Sequence, residues 1–301
     1  LRTTETVNLL NNLRKVPTQG IMFGHHDDPL YGVGWEGDED RSDVKSVCGD
    51  YPAVMSFDLG HIELEREKSL DNVPFRKIRQ ETINQYKRGG VVSFSWHLDN
   101  PLTGKDAWDV SDTTVVASIL PGGVHHAKFI SWLDAVAAFM NTLETEEGTK
   151  IPVIFRPWHE HTGSWFWWGQ NLCTADQYKA LWRMTHDRMH ARGVKNLLYA
   201  YSPGSEPKDS TAYLERYPGD DIIDLVGFDT YQFDRTQYME QLDKSLAILT
   251  EVGKAHDKPI AITETGFEAI PDSVWWTQTL YPVISKYPIS YVLVWRNARE
   301  R

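Results

Sequence analysis

The chain alternates between two kinds of stretch. Short apolar, β-branched runs at 20–24, 53–57, 91–95, 151–155, 196–201, 222–228, 259–263 and 289–294 have the composition of buried strands. Each one stops at polar or aromatic residues. Patterns of helical period lie between most of them, at 3–15, 74–88, 126–145, 174–192, 235–256 and 272–286. Val7, Leu10 and Leu13 share one face of the first helix. Phe129, Trp132, Leu133, Val136, Met140 and Leu143 share one face of 126–145. Pro74 and Gly89-Gly90 bracket 74–88 with the usual start and stop residues. Strand-then-helix alternation without an internal repeat predicts an α/β chain. Eight such strands in this alternation predict a single-domain (β/α)8 TIM barrel over residues 1–301.

That architecture places chemistry on the loops at the C-terminal strand ends. Two of these loops are long, at 29–50, with a short helix near 42–48, and at 98–124. The eighth strand is followed by too few residues for an eighth outer helix. Either helix 3–15 fills that position or the natural chain continues past Arg301. Truncation, with loss of the last helix, is the expectation favoured here.

The totals narrow the function classes. A net charge of -11 argues against nucleic acid or an anionic membrane as the main partner. No apolar run is long enough to span a bilayer. Cys48 and Cys173 are too few for a disulfide framework and are expected to be two inert thiols. The chain begins at Leu1, so a targeting segment is expected to have been removed. Twelve tryptophans in 301 residues is unusual, and aromatics crowd the stretches that end in polar groups.

The densest such stretch is 150–169, where the run ending at Phe155 opens into Arg156, His159, Glu160 and His161 and then into Trp165, Trp167 and Trp168. A second acid, Glu264, ends the seventh strand. A barrel brings such ends across one mouth, and paired carboxyl groups flanking a bond are what glycoside hydrolysis requires. The bland alternative is that one or both acids are structural, paired with Arg156 or Arg296. Sugar rings stack their C–H faces on aromatics, and Trp165 is the indole expected to face a ligand. At least one of Trp167 and Trp168 is expected in the core. The groups His25-His26-Asp27-Asp28 and His159-Glu160-His161 lack the spacing of a hydrolytic zinc site, so no metal and no cofactor are expected. The acidic run at 36–40 is expected to be a solvated loop.

The motifs R-P-W-H-E-H at 156–161, G-F-D-T-Y at 227–231, I-T-E-T-G at 262–266 and V-W-R-N at 294–297 together resemble glycoside hydrolase family 26. F-G-H-H at 23–26 and S-W-H at 95–97 extend the resemblance over nearly the whole chain. The resemblance implies a retaining barrel enzyme, mainly exported β-mannanases. By motif it implies Glu160 as general acid/base and Glu264 as nucleophile. It further implies His159 and His97 as contacts near the catalytic sugar, Tyr231 as the hydrogen-bond donor to the nucleophile, and Trp165 as a platform. Asp229, Trp295 and Arg296 match glycone-side positions, and Trp108 is placed by rough position as a leaving-side platform. Trp158 varies in the family and carries little weight.

The expected function is therefore a secreted endo-β-1,4-mannanase, extracellular or periplasmic, monomeric, acting on β-mannan or manno-oligosaccharides. Two alternatives stay open. One is an exo-acting or other β-glycanase on the same scaffold, and the other is a catalytically silent binding protein.

Overall fold

The computed structural model describes residues 1–299. Eight parallel strands close into a barrel: β1 (Met22–His26), β2 (Val54–Asp58), β3 (Val91–Ser95), β4 (Val153–Arg156), β5 (Leu197–Tyr201), β6 (Leu225–Gln232), β7 (Ile260–Phe267) and β8 (Tyr291–Val294). They pair in sequence order, and β1 closes the ring against β8 with Met22 opposite Tyr291. Side chains alternate across the wall. Phe155 packs outward against the helices, while Ile154 joins Val54, Val91, Leu198, Leu225, Ala261 and Leu293 inside.

The first helix, Thr4–Lys15, does not join the outer ring of helices. Its buried residues Leu9 and Leu13 pack with the residues inside the barrel, so it closes the N-terminal end. Thr3 caps it, accepting from Thr6 N–H at 3.2 Å, and the Ser290 hydroxyl donates to the Leu13 carbonyl at 2.7 Å. The predicted face shifts accordingly: Val7 is exposed and Leu9 takes its place inward. Burying each of these leucines contributes about 1.5–3 kcal/mol.

Three other expectations change in detail. The predicted helix 272–286 contracts to a π-turn, Trp276–Leu280, running into Tyr281–Ile284. Pro282 has no N–H to give the Gln278 carbonyl, which accepts from Arg235 instead at 3.2 Å. Short helices at Val115–Ile119 and Ser210–Leu214 appear inside stretches that carried no helical pattern. Strands β6 and β7 run past their predicted ends, to Gln232 and Phe267, and carry the polar residues of the mouth within the ladder.

Cys48 is exposed and Cys173 buried, both as free thiols. The acids of the 36–40 run lie on the surface and meet cations, with Asp38 on Arg41, Asp40 on Lys45 and Glu36 on Arg299.

Candidate active site

Beyond β4 the backbone makes an unusual turn. Trp158 (φ 59°) and Glu160 (φ 55°) are both left-handed, one on either side of His159. Each such residue costs about 1–2 kcal/mol, so the turn must be held from outside. The Tyr178 hydroxyl donates to the Trp158 carbonyl at 2.6 Å, and Trp168 Nε1 donates to the His159 carbonyl at 2.8 Å. Glu160 N–H donates to the Ser202 carbonyl at 2.8 Å, and Trp158 Nε1 to the Thr185 hydroxyl at 3.2 Å. Trp158, Trp167 and Trp168 are fully buried and brace the loop. Trp158 therefore matters more than its motif suggested. Trp165 remains 40% exposed, and its Nε1 donates to a Glu160 carboxyl oxygen at 2.7 Å.

Glu264 reaches the same space through a β-bulge. Phe228 pairs with Ile262, but Asp229 pairs with Glu264, so β7 carries one extra residue, Thr263. The bulge breaks the alternation. Thr263 donates inward to Asp229 at 2.6 Å, and its neighbour Glu264 also points into the barrel, where Arg156 binds it. Arg156 donates to Asp229 as well, at 2.8 Å. The Tyr231 hydroxyl donates to the other Glu264 oxygen at 2.6 Å. One carboxylate oxygen from each of Glu160, Asp229 and Glu264 lies within 4.8 Å of the others. The Arg156 guanidinium, bonded to Asp229 and Glu264, sets a positive charge against two members of this group. The structural ion pair considered from sequence therefore exists at Glu264, and it coexists with the carboxyl pair.

Burial, and then the charge of Glu264, push the Glu160 carboxyl up to about 7. Burial and the Glu264 charge also raise Tyr231 well above the ordinary phenol range, keeping it a donor.

A histidine pair lies beside the carboxyls. Asp58, at the end of β2, accepts from His97 Nδ1 at 2.6 Å, from His97 N–H at 3.1 Å, from the Ser95 hydroxyl at 2.6 Å and from Gly60 N–H at 2.7 Å. Burial opposes a charged Asp58, but His97 and these donors outweigh it and hold the acid below the ordinary range. Burial likewise opposes a charged His97, and Asp58 outweighs it, raising His97. His97 Nε2 is 3.0 Å from His159 Nε2. Burial, then Arg156 and His97, push His159 well down, so the neutral partner is His159. With His97 charged, its Nε2–H donates to His159, and the His159 proton sits on Nδ1.

The aromatics close around this pair. Trp108 stacks on His97 with centroids 5.4 Å apart, and Phe166 packs on both histidines. Trp295 stacks on His26 at 3.8 Å and meets His97 edge-on. Arg296 turns to Asp71, at 3.5 Å. The predicted residues thus fall into one mouth, with Arg296 at its edge. Asp229 sits on the floor with Arg156, away from Trp295 and Arg296. Sequence reasoning missed Arg156 as a positioning group, and it missed Asp58 and Phe166. Asp58 had a readable mark, as the first ionisable residue after an apolar run. Phe166 had none among so many aromatics.

A parallel barrel presenting two facing carboxyl groups across its C-terminal mouth, one of them held protonated toward neutral pH, defines a class, the (β/α)8 glycosidases. The chain belongs to glycosyl hydrolase family 26, whose model matches residues 2–287. It is 36% identical over 279 residues to a mannan endo-1,4-beta-mannosidase of Bifidobacterium adolescentis, covering 88% of this chain and 27% of that protein. It is 27% identical to mannan endo-1,4-beta-mannosidase A and B of Caldalkalibacillus mannanilyticus, covering 96% of this chain and 54% of that one. The chain thus spans about a quarter and about half of these two relatives. Among solved structures, a family 26 beta-mannanase from Bacteroides ovatus superposes with TM-score 0.98 at 64% identity, covering 99% of this chain and 87% of that one. An endo-beta-1,4-mannanase double mutant of Cellulomonas fimi gives TM-score 0.90 at 33% identity, covering 99% and 69%.

Proposed function

We propose that this chain is the catalytic part of an endo-β-1,4-mannanase that works with retention of anomeric configuration. The observation that carries the reading is the spacing of the carboxyl groups. One oxygen of Glu160 lies within 4.8 Å of one of Glu264, a placement that favours direct attack over a water held between the two groups, for which inverting enzymes keep their carboxyl groups roughly 6.5–9.5 Å apart. The names of the relatives supply the substrate class, β-1,4-mannan.

In this mechanism Glu264 attacks the anomeric carbon, held in line by Arg156 and Tyr231. The C1–O bond to the leaving sugar breaks as Glu160 gives its proton to that oxygen. Formation of the glycosyl ester consumes the Glu264 charge, which was one cause of Glu160's high proton affinity. Glu160, having given up its proton, is now stable as a carboxylate and takes a proton from water, whose oxygen attacks C1 as the ester bond to Glu264 breaks. His97, bonded to Asp58 and His159, holds His159 in place beside the sugar in the catalytic position, and Trp295 lies under that sugar.

A polymeric substrate implies action outside the cytoplasm, in the periplasm or beyond. No helix among the described residues is long and apolar enough to cross a membrane. A monomer suffices, since every group used comes from one chain.

The test is digestion of galactomannan with product analysis and proton NMR of the first products. A ladder of oligosaccharides whose new reducing ends appear first as the β-anomer is expected. Mannobiose alone would mean exo action, and a first product in the α-configuration would overturn retention.

A further inference from the structure

We propose that His26, Asp27 and Asp71 form a binding site for a first-row transition-metal dication such as Zn²⁺, buried at the end of β1 and separate from the three carboxyl groups on the barrel floor. One ligand atom from each of the three residues lies within 4.8 Å of the others, and all three residues are buried. The run His25–Asp28 lacks the spacing of a zinc site because the third ligand, Asp71, arrives from the segment between β2 and β3. Adjacent side chains on a strand point to opposite faces. Asp27 instead leaves β1 in the left-handed conformation (φ 54°), and its carboxylate faces the His26 ring.

The observation that points to a ligand is His26 Nε2. This atom is fully buried and has no hydrogen-bond partner among the described residues. A buried nitrogen in that state is costly unless something occupies it. The other ring nitrogen, Nδ1, is held by the Ser56 hydroxyl. With Nδ1–H donating to Ser56, Nε2 bears the free lone pair, which is the arrangement of a metal-bound histidine. Burial pushes the His26 ring well down, so it is neutral, as a ligand must be. Nε2 stands 3.5 Å from Asp27 Oδ2. That is long for a hydrogen bond, but close to the roughly 3.4 Å between two ligand atoms that each lie about 2.0–2.1 Å from a tetrahedral ion. The Tyr31 hydroxyl orients Asp27, donating to the same oxygen at 2.7 Å. Two carboxylates offset the charge of a dication, and the imidazole favours a zinc-like ion over Ca²⁺ or Mg²⁺, which take oxygen ligands. The Arg296 guanidinium, 3.5 Å from Asp71 Oδ1, is the cation with which the ion competes. A bound ion clamps the end of β1 to the segment carrying Asp71, and it fixes the ring on which Trp295 stacks at 3.8 Å.

The test is a calorimetric titration of Zn²⁺ into the chelator-treated enzyme, with the melting temperature as a second readout. One tight site per chain is expected, and free Zn²⁺ at a hundred times its Kd should raise the melting temperature by about 5 °C. Asp71→Asn and Asp27→Asn should each weaken binding roughly hundredfold or more. Both keep the size of the side chain, and Asn tolerates the left-handed conformation at position 27, so each should fold. Equimolar Ca²⁺ should not displace Zn²⁺. Absence of a tight site in the parent, equal affinity in the parent and both variants, or displacement by Ca²⁺ would each overturn the assignment. None of these readouts uses turnover, so the outcome does not depend on the mannanase reading.

Discussion

The line from Glu160 on β4 to Glu264 on β7 divides the barrel mouth into two halves built on opposite plans. The half over β8, β1, β2 and β3 is interlocked. Tyr31 donates to Asp27 at 2.7 Å, and Arg296 meets Asp71. Arg299 stacks on Tyr31 and reaches Glu36, and Asn297 donates to Asp43 at 2.7 Å. The long loop at 29–50 is thereby tied to the segment after β8, and Trp108, His97, Trp295 and His26 stack into one aromatic wall. The half over β5 and β6 is open, with its anchors beneath the surface and Phe233 and Trp165 left bare. A half cross-linked by ions can accept only a ligand that fits its hydroxyl-binding groups. A half of bare rings accepts many, because stacking is tolerant of ring substituents.

The largest effect is expected on the dividing line itself. Glu264→Ala removes the attacking group and should lower mannan turnover by about 10⁴-fold or more while a manno-oligosaccharide still binds, as read by calorimetry. Turnover within tenfold of the parent would show that the line has been drawn through the wrong residue. Arg156→Met attacks the floor shared by both halves. It leaves Asp229 and Glu264 buried without their cation, and should cost about 3–5 kcal/mol of stability in a urea titration at neutral pH. The loss should shrink as the pH falls and the two carboxylates take protons. A loss below about 1 kcal/mol would mean the ion pair is not closed to water.

The barrel was legible in the sequence because parallel strands buried on both sides read as continuous apolar runs. The limit of that signal is visible at β6 and β7. Hydropathy ends at Phe228 and Thr263, where the barrel interior turns polar, but the ladder continues through Tyr231 and Gly266. The bulge at Thr263 leaves no trace in composition, since it is a mismatch between strands rather than a property of one. The two glutamates could be found because each follows an apolar run. Their partners could not be assigned in the same way. Arg156 and Asp58 look from sequence like any strand-end charge, and only the closed ring shows which carboxylates they meet. The opening helix was left between two positions for a related reason: an amphipathic pattern reports that a face is buried, not what covers it.

Intermediate effects test how the line is tuned. Tyr231→Phe removes one hydrogen bond to the Glu264 carboxylate and should lower kcat roughly ten- to hundredfold, as expected for a bond to a charged group. The pH profile of kcat/KM should show an alkaline limb near 7. Glu160 must be protonated for the first step, so activity is held below its raised pKa of about 7 and lost above it. An alkaline limb placed near the ordinary carboxyl range would mean that Glu160 is neither buried nor coupled to Glu264 in solution.

The smallest effect separates the halves most directly, because it is read on folding rather than turnover. In the interlocked half, burial and then Asp71 push Asp27 up, while burial and then Asp58 push Asp71 up. An acid with a raised folded-state pKa holds its proton more tightly folded than unfolded. The stability it contributes is present at low pH and is lost as pH rises from about 3.9, the ordinary value, through the folded-state pKa. Asp71→Asn removes one such acid and the charge that raises the other. The melting temperature of the variant should therefore fall less steeply with rising pH across that window than that of the parent. Phe233→Ala, in the open half, removes a side chain that is bare to solvent and should change stability by less than about 0.5 kcal/mol at any pH. If Asp71→Asn left the pH slope unaltered, or Phe233→Ala destabilised the fold as a core substitution does, the two halves would not differ in the way their contacts indicate.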